Sequence, residues 1–327
     1  METKSDLTVA ICMYNAERYI EQTLECVLVQ TLQDFHLLIV DDCSTDESVT
    51  KVENYLCIHP HQHKIYKLNI NLGIAHARQF ALIHATTQYL IFIDADDYPL
   101  PQLLEKELTA INCDQKLMAV SSWLQFVDTN CNPMKGGLFI GDTNRESFMK
   151  RAEAGKRMFM PIQTLFRRED AVKAGGFRLN GFPDGKPRYR DFCEDLDLWT
   201  RMSDFYVEGK YMIVLPEVLY LYRKADGLSS NHFNMIIKME YVKVNVRRRR
   251  IGAKELTFIE YMDSLPSRQL EKLHRDAKIA DDVRNGFFYV KDGRWLHGTW
   301  LILRSVCVNP SYIWDKLISN SRLIRNK

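Results

Sequence analysis

The stretch Tyr89-Leu-Ile-Phe-Ile-Asp-Ala-Asp-Asp-Tyr98 decides the fold predicted for this chain. Its four consecutive apolar residues, 90–93, are too few to span a membrane and lack polar alternation, so they predict a central strand buried on both faces. Carboxylates follow where a parallel sheet passes its chain to a loop, the edge at which open α/β sheets bind ligands. Asp94 and Asp96 can point the same way and share a hard divalent cation. The alternative is an acidic turn that caps the next helix.

The first hundred residues alternate predicted strands with predicted helices. Strands are expected at residues 7–13, 35–40 and 64–68, and repeated units of this length predict right-handed crossovers and a mainly parallel sheet. No G-x-G-x-x-G or G-K-[ST] loop follows these strands, which argues against a dinucleotide fold and a P-loop NTPase. The second strand also ends in carboxylates, Asp41 and Asp42, so acidic pairs recur at two strand ends.

Composition limits the classes of protein that fit. The 327 residues carry a net charge of +2, which gives no bulk affinity for nucleic acid. Eight cysteines without a C-x-x-C pair favour reduced thiols in a cytoplasm. The polar N-terminus shows no signal peptide, and the late apolar segment 300–308 is interrupted by Arg304 and far short of the ~20 residues of a spanning helix. We therefore expect a cytoplasmic protein that does not cross a membrane.

Four stretches, in this order and spacing, resemble the motifs of family 2 glycosyltransferases with the GT-A fold. They are Val9-Ala-Ile-Cys-Met-Tyr-Asn-Ala-Glu17, Val40-Asp-Asp-Cys-Ser-Thr-Asp46, Asn71-Leu-Gly-Ile-Ala-His-Ala-Arg78 and Ile93-Asp-Ala-Asp-Asp97. The resemblance implies a Rossmann-like, mainly parallel sheet flanked by helices. It also implies an inverting transferase that uses a nucleotide-activated sugar, with a divalent cation, Mg²⁺ or Mn²⁺, bridging the diphosphate.

The same resemblance implies roles for individual residues. Asp41 would contact the nucleobase, Tyr14 and Asn15 would line its pocket, Arg78 would lie near the nucleotide or sugar, and Asp94 and Asp96 would bind the metal. Cys43 stands where the family usually has glycine. Asp42, Asp46 and Asp97 are interpreted instead as turn and capping residues.

A second constellation lies in Phe192-Cys-Glu-Asp-Leu-Asp-Leu-Trp-Thr-Arg201. A helix that begins near Glu194 would place Asp195 on one face with Leu198, Trp199 and Met202. The simpler interpretation is that Glu194 and Asp195 only complement a helix N-terminus. The family carries a Glu-Asp pair before such a helix, so the resemblance implies that Asp195 is the general base, with Glu194 beside it.

The segment 219–230 resembles the closing segment of the family, in which an arginine and a histidine approach the diphosphate. Arg223 and Ser229 are the phosphate contacts expected here. Ala225 stands where the histidine is expected, so a third protein ligand to the metal is not predicted, and His232 is a weak substitute.

We expect a GT-A domain over residues 1–230, with a nucleotide-sugar-binding half, 1–105, and an acceptor-binding half, 106–230, that includes a loop-rich stretch at 128–141. Residues 231–327 are expected to form a C-terminal helical extension. Its basic run, Arg247 to Arg250, is interpreted as a solvated helix face. Contact with anionic lipid at the inner face of the cell membrane is the alternative, supported by late amphipathic pieces with Trp295, Trp300 and Trp314.

The function predicted is transfer of a sugar, with inversion, from a nucleotide-sugar donor, expected to be UDP-linked, to a saccharide or lipid-linked saccharide, as in cell-surface polysaccharide synthesis. Two other classes stay open. A nucleotidyltransferase would need a basic loop after the first strand, and residues 12–16 supply none. A silent nucleotide-sugar-binding protein would be distinguished by the absence of turnover.

Overall fold

A nine-stranded sheet forms the centre of the computed structural model, which describes residues 6–224, 231–291 and 294–310. The strands are β1 Leu7–Met13, β2 His36–Asp41, β3 His63–Lys67, β4 Tyr89–Asp94, β5 Tyr98–Pro99, β6 Leu117–Val127, β7 Pro133–Phe139, β8 Leu165–Arg167 and β9 Tyr211–Arg223. Their order is β3-β2-β1-β4-β8-β6-β9-β5, and β7 pairs with β6. The strands β1 to β4 pair in parallel, whereas β8 is antiparallel to both of its neighbours.

Helices alternate with these strands along the chain and follow the last strand. They are α1 Ile20–Leu28, α2 Ser48–Ile58, α3 Ile74–His84, α4 Leu103–Asn112, α5 Arg145–Glu153, α6 Arg168–Lys173, α7 Glu194–Met202, α8 His232–Arg250, α9 Phe258–Asp263, α10 Ser267–Lys291 and α11 Trp295–Val308. Strand, helix and strand alternate through the first hundred residues, as the sequence predicts. In the part of the chain described, no helix is both long and apolar enough to cross a membrane.

The central strands are buried on both faces. On β1, Val9 and Ile11 join one apolar cluster while Ala10 and Cys12 join another on the opposite side of the sheet. Because successive side chains of a strand point to opposite faces, a strand covered on both sides must be apolar throughout. This is the physical reason for the unbroken apolar run at residues 90–93, which lies within β4.

The chain divides into two compact units. The first holds the sheet and takes in Val242–Glu255, and the second consists of Gly227–Tyr241 and Leu256–Lys327. In the second unit, α10 and α11 pack closely at two glycines: a Cβ on Gly298 would lie 2.5 Å from the carbonyl oxygen of Gly286. The small residues let the two helix backbones approach each other.

The stretch 128–141 is only partly the loop that was predicted. Residues Pro133–Phe139 form β7, which is antiparallel to β6. The error has a local cause, because Pro133, Gly136 and Gly137 are typical of turns. Proline is nevertheless tolerated as the first residue of an edge strand, where its missing N–H breaks no ladder, and β7 begins at this proline.

The interpretation of Arg247 to Arg250 as a solvated face is wrong for half of the run. Arg249 forms ion pairs with Asp204 and Glu255, and Arg250 pairs with Asp204 at 2.9 Å and stacks on the ring of Tyr206. These two side chains are only 19% and 18% exposed. They are therefore part of the packing of the first unit.

Cys43 adopts the left-handed backbone conformation that explains the glycine expected at this position. Its φ is +64°, in the turn that follows β2. A residue with a Cβ is strained by about 1–2 kcal/mol in this region, whereas glycine is not.

We therefore expect Cys43→Gly to raise the free energy of unfolding by about 1 kcal/mol in urea denaturation. Cys57→Gly is the matched control: Cys57 is exposed in α2, where glycine should lower stability by roughly 0.5–1 kcal/mol. A loss of stability in Cys43→Gly would mean that contacts of the thiol outweigh the backbone strain.

Candidate active site

The loops after β1 and β2 are fastened to each other by Asn15. Its backbone N–H donates to Ser44 Oγ at 2.9 Å, and its side-chain Oδ1 accepts from the Thr45 N–H at 2.8 Å. Asp41, at the end of β2, accepts from the Ser44 N–H at 3.1 Å. Tyr14 is 49% exposed beside this junction. Tyr14, Asn15 and Asp41, predicted for the nucleobase pocket, are thus brought to one edge of the sheet.

The start of α3 is held by two carboxylates. Asp42 accepts from the backbone N–H groups of Leu72 and Gly73 at 2.9 and 2.7 Å, which agrees with its interpretation as a capping residue. Asp191 accepts from the Ala75 N–H at 3.2 Å. Gly73 has φ +96°, and a Cβ there would lie 2.1 Å from Asp191 Oδ2, so only glycine fits. These contacts satisfy N–H groups that a helix start leaves unpaired.

Arg78, one turn further along α3, bridges the two acidic motifs. Its Nη2 lies 2.8 Å from Asp94 Oδ1 at the end of β4, and its Nη1 pairs with Glu194 Oε1 at the start of α7. The Arg78 and Glu194 side chains are each 7% exposed. The guanidinium therefore joins the D-x-D strand end to the Glu194-Asp195 helix start in a largely dry environment.

The charges around Arg78 shift several pKa values. Burial lowers the pKa of Arg78, but Glu194 and Asp94 raise it more, so its net shift is upward and the guanidinium stays charged. Burial raises the pKa of Asp195, an effect that Arg78 and the Leu196 N–H, at 2.7 Å, partly offset. Asp195 is more exposed than Glu194. It combines access with a raised proton affinity, as a general base requires.

Asp94 and Asp96 fit the requirements of a divalent cation. Both are half-buried, and burial together with the charge of Asp94 raises the pKa of Asp96 to about 6. Two close carboxylates repel each other, and a hard cation with oxygen ligands would relieve that repulsion. Asp94 and Asp96 are the residues that would hold such a cation, since no group of three His, Cys, Asp or Glu side chains suited to a metal occurs in the described ranges.

Arg223 lies in a buried network beside the D-x-D motif. Its Nε donates to the Asp96 carbonyl at 2.7 Å, its Nη1 to the Thr129 carbonyl at 2.9 Å, and its guanidinium stacks on Tyr19 and Tyr98. The side chain thus fixes the backbone at Asp96. Direct contact of Arg223 with the diphosphate stays a prediction.

Three further residues lie in or near the closing segment of the sequence: Ala225, Ser229 and His232. Ala225 and Ser229 lie outside the described residues. His232, the weak substitute ligand, begins α8 and uses its Nδ1 in a contact with Asp281.

Sequence reasoning missed the contacts of the segment before α7. Arg188 Nη1 donates to Asn71 Oδ1 at 2.6 Å, and Arg188 Nε pairs with Asp191 at 3.1 Å. Asp191 in turn holds α3 through Ala75. The only local signal was the Arg188–Asp191 spacing of three residues. The partners on α3 are more than a hundred residues away, so no local pattern identifies them.

The motif-bearing half of the chain matches the sequence profile of glycosyl transferase family 2 over residues 8–173, half of its length. The chain belongs to this family. Asn15, Asp41, Arg78, Asp94 and Asp96 all lie inside the match.

Relatives and solved structures agree with the family. The chain is 34% identical over 244 residues to a teichoic acid poly(glycerol phosphate) polymerase of Staphylococcus epidermidis, covering 72% of this chain but only 32% of that protein. S. aureus TarS in complex with UDP-GlcNAc is 15% identical with a TM-score of 0.52, covering 90% of each chain. The mannosyltransferase PcManGT from Pyrobaculum calidifontis, in complex with GDP-Man and Mn²⁺, is 19% identical with a TM-score of 0.52, covering 100% of this chain and 82% of that one.

These likenesses confirm the GT-A fold predicted from the sequence. The predicted parallel pairing holds among β1 to β4 and between β6 and β9, while β5, β7 and β8 add antiparallel pairings. At this identity the solved structures share the fold alone with this chain.

Replacing Asp96 with asparagine should remove metal-dependent donor binding, because one carboxylate cannot easily hold the cation against the diphosphate. Calorimetric titration with a nucleotide sugar and Mn²⁺ should give an affinity like that of wild type with chelator. Equal wild-type affinities with and without chelator would contradict the assignment of Asp94 and Asp96.

Proposed function

We propose that the protein transfers a sugar from a nucleotide-sugar donor, UDP-linked, to a saccharide or lipid-linked saccharide acceptor, with inversion at the anomeric carbon. The observation that carries the proposal is the Arg78 bridge, which brings the D-x-D strand end and the Glu194-Asp195 helix start to one place. Family membership supports the reaction class, and the S. epidermidis polymerase and the UDP-GlcNAc complex of TarS favour a cell-surface polymer and a UDP donor.

Asp195 acts as the general base. Its carboxylate takes the proton of the acceptor hydroxyl as that oxygen attacks the anomeric carbon, and the bond from this carbon to the diphosphate breaks on the opposite face. Glu194 is held by Arg78, so its role is to position the start of α7 beside the sugar. A divalent cation, Mg²⁺ or Mn²⁺, held by Asp94 and Asp96 would neutralise charge on the departing diphosphate.

Residues 1–105 supply the donor half of the site and residues 106–230 the acceptor half, with residues 231–327 as the helical extension. On the donor side, Tyr14 offers an exposed ring for the nucleobase, and Asp41 keeps carboxylate lone pairs beyond those used by Ser44. Nucleotidyl transfer and silent binding remain the competing functions, and each predicts no release of nucleoside diphosphate.

A screen of nucleotide sugars tests the reaction class. Divalent-dependent release of nucleoside diphosphate by hydrolysis, without an acceptor, should single out one donor. Absence of release from every donor, with tight donor binding, would favour the silent-binding alternative.

Asp195→Asn should separate catalysis from binding. Asparagine has nearly the same shape but cannot accept a proton at neutral pH, so donor affinity should persist while transfer falls by ~10²–10⁴-fold. Measured transfer close to wild type would remove Asp195 from the mechanism.

Asp197 is unsuitable as the control for Asp195→Asn because it is buried in ion pairs. Asp197, two residues on, pairs with Arg201 at 3.0 Å and Arg178 at 3.2 Å and is 2% exposed, so Asp197→Asn should destabilise the fold. Asp184→Asn is the better control, because Asp184 is exposed in the segment that leads to α7. It should leave transfer unchanged.

We also propose that α11 contacts anionic membrane. Trp295, Leu296, Trp300 and Leu303 are 54–70% exposed, whereas Gly298, Leu301 and Ser305 face inward. Residues 294–310 contain Arg294 and Arg304 and no acidic residue. Exposed Trp and Leu with flanking arginines are typical of helices that lie in a membrane interface.

Replacing Trp300 and Leu303 with serine should weaken sedimentation with anionic vesicles by roughly tenfold or more, since each buried apolar side chain contributes ~1.5–3 kcal/mol. Binding by wild type should weaken as salt rises. Arg247→Gln, in the exposed part of the basic run, is the control. Equal binding of wild type and variant would leave α11 without a membrane role.

A further inference from the structure

Arg190 differs from Arg78, Arg188 and Arg223 in how few contacts hold its guanidinium in the described part of the chain. It lies in a turn of 3-10 helix, Tyr189–Asp191, that packs against α3. Its side chain is half-buried, and its Nε is buried without a hydrogen-bond partner. Within the described ranges the guanidinium forms no hydrogen bond or ion pair. A cation removed from water in this way is costly unless an anion meets it.

The nearby carboxylates are already engaged elsewhere. Asp191, the next residue, accepts from Ala75 and pairs with Arg188. Both oxygens of Asp42 accept backbone N–H groups at the start of α3, and Glu194 is held by Arg78. Asp191 is the carboxylate on which the charge of Arg190 acts, and its two oxygens already contact Ala75 and Arg188.

The turn that carries Arg190 lies beside the start of α3, at the edge of the sheet where the proposed site is built. Four residues separate Arg190 from Asp195 along the chain. Asp191 accepts from Ala75 on α3, and Arg188 donates to Asn71 in the loop before α3. Arg78, by comparison, is saturated by two carboxylates and offers an incoming anion little.

We propose that Arg190 recognises an oxyanion, a carboxylate or phosphate, carried by one of the substrates besides the donor's diphosphate. The planar guanidinium matches either group with two parallel N–H···O bonds. The inference rests on the proposed function and specifies in addition that one of the substrates carries a negatively charged group. The anion comes either from the transferred sugar, as in a uronic acid, or from the acceptor, as in a polyol phosphate.

Two pairs of probes distinguish these sources. UDP-glucose and UDP-glucuronate differ only in a hydroxymethyl or carboxylate group, and glycerol and glycerol 3-phosphate differ only in the phosphate. Calorimetry with Mg²⁺ measures the binding of each UDP-sugar. Glycerol and its phosphate are titrated into enzyme saturated with UDP, so that the diphosphate site is occupied.

Wild type, Arg190→Gln and Arg190→Lys are compared, with Lys186→Gln as the matched control. Lys186 is an exposed cation of the same segment, so its loss changes the net charge equally without touching the buried site. In Arg190→Gln we expect one anionic probe to lose affinity by on the order of tenfold or more, with its neutral counterpart unchanged. Arg190→Lys should retain part of the affinity, because lysine keeps the positive charge but cannot form the two parallel hydrogen bonds of a guanidinium.

A loss confined to UDP-glucuronate assigns the anion to the donor sugar, and a loss confined to glycerol 3-phosphate assigns it to the acceptor. Three results would overturn the proposal: equal affinities in wild type and Arg190→Gln, an equal loss for charged and neutral probes, or an equal loss in Lys186→Gln. If neither UDP-sugar binds wild type, the proposed donor is wrong, and glycerol 3-phosphate titrated without UDP still decides the role of Arg190.

Discussion

The buried guanidinium of Arg78 is the interaction on which the arrangement of the site depends. It contacts Asp94 from β4 and Glu194 from α7, residues a hundred positions apart. At 7% exposure, neither Arg78 nor Glu194 can be satisfied by water, so each charge requires the other. Loss of Arg78 would leave Glu194 buried without its cation, a change that typically costs ~3–5 kcal/mol, whereas loss of Glu194 would leave Arg78 with Asp94. The pair thus ties the D-x-D strand end to the start of α7, where the proposed mechanism puts the metal and the general base.

Backbone geometry supplies a second constraint at the same edge of the sheet. Asn15, Cys43 and Cys193 have positive φ values, and each lies in a turn that follows a site strand or precedes a site helix. Such conformations cost about 1–3 kcal/mol for residues with a Cβ and persist where surrounding contacts enforce them. Here the enforcing contacts are partly visible, because the Asn15 amide and side chain are both bonded across the junction.

The sequence predicted the central strands and the start of α7 well, because these elements have unbroken apolar runs or clear helical spacing. It also identified Arg78, Asp94 and Glu194 separately. It could not predict that Arg78 joins the other two, since burial of a charge depends on tertiary packing. The strand at 133–139 was hidden by turn-forming residues, and the pairing of Arg249 and Arg250 was hidden because a basic run looks the same whether solvated or paired.

Charge balance links donor binding to catalysis. The single positive charge of Arg78 is shared by Asp94 and Glu194. Asp96 and Asp195 are not paired with it, so the carboxylates that meet here carry more negative charge than Arg78 can neutralise. A diphosphate adds more of the same sign, so the donor cannot be held on these residues without additional positive charge. A cation on Asp94 and Asp96 would supply it on the leaving-group side. Asp195, at the start of α7, is not needed for that balance. In the proposed mechanism its raised pKa serves the acceptor proton alone.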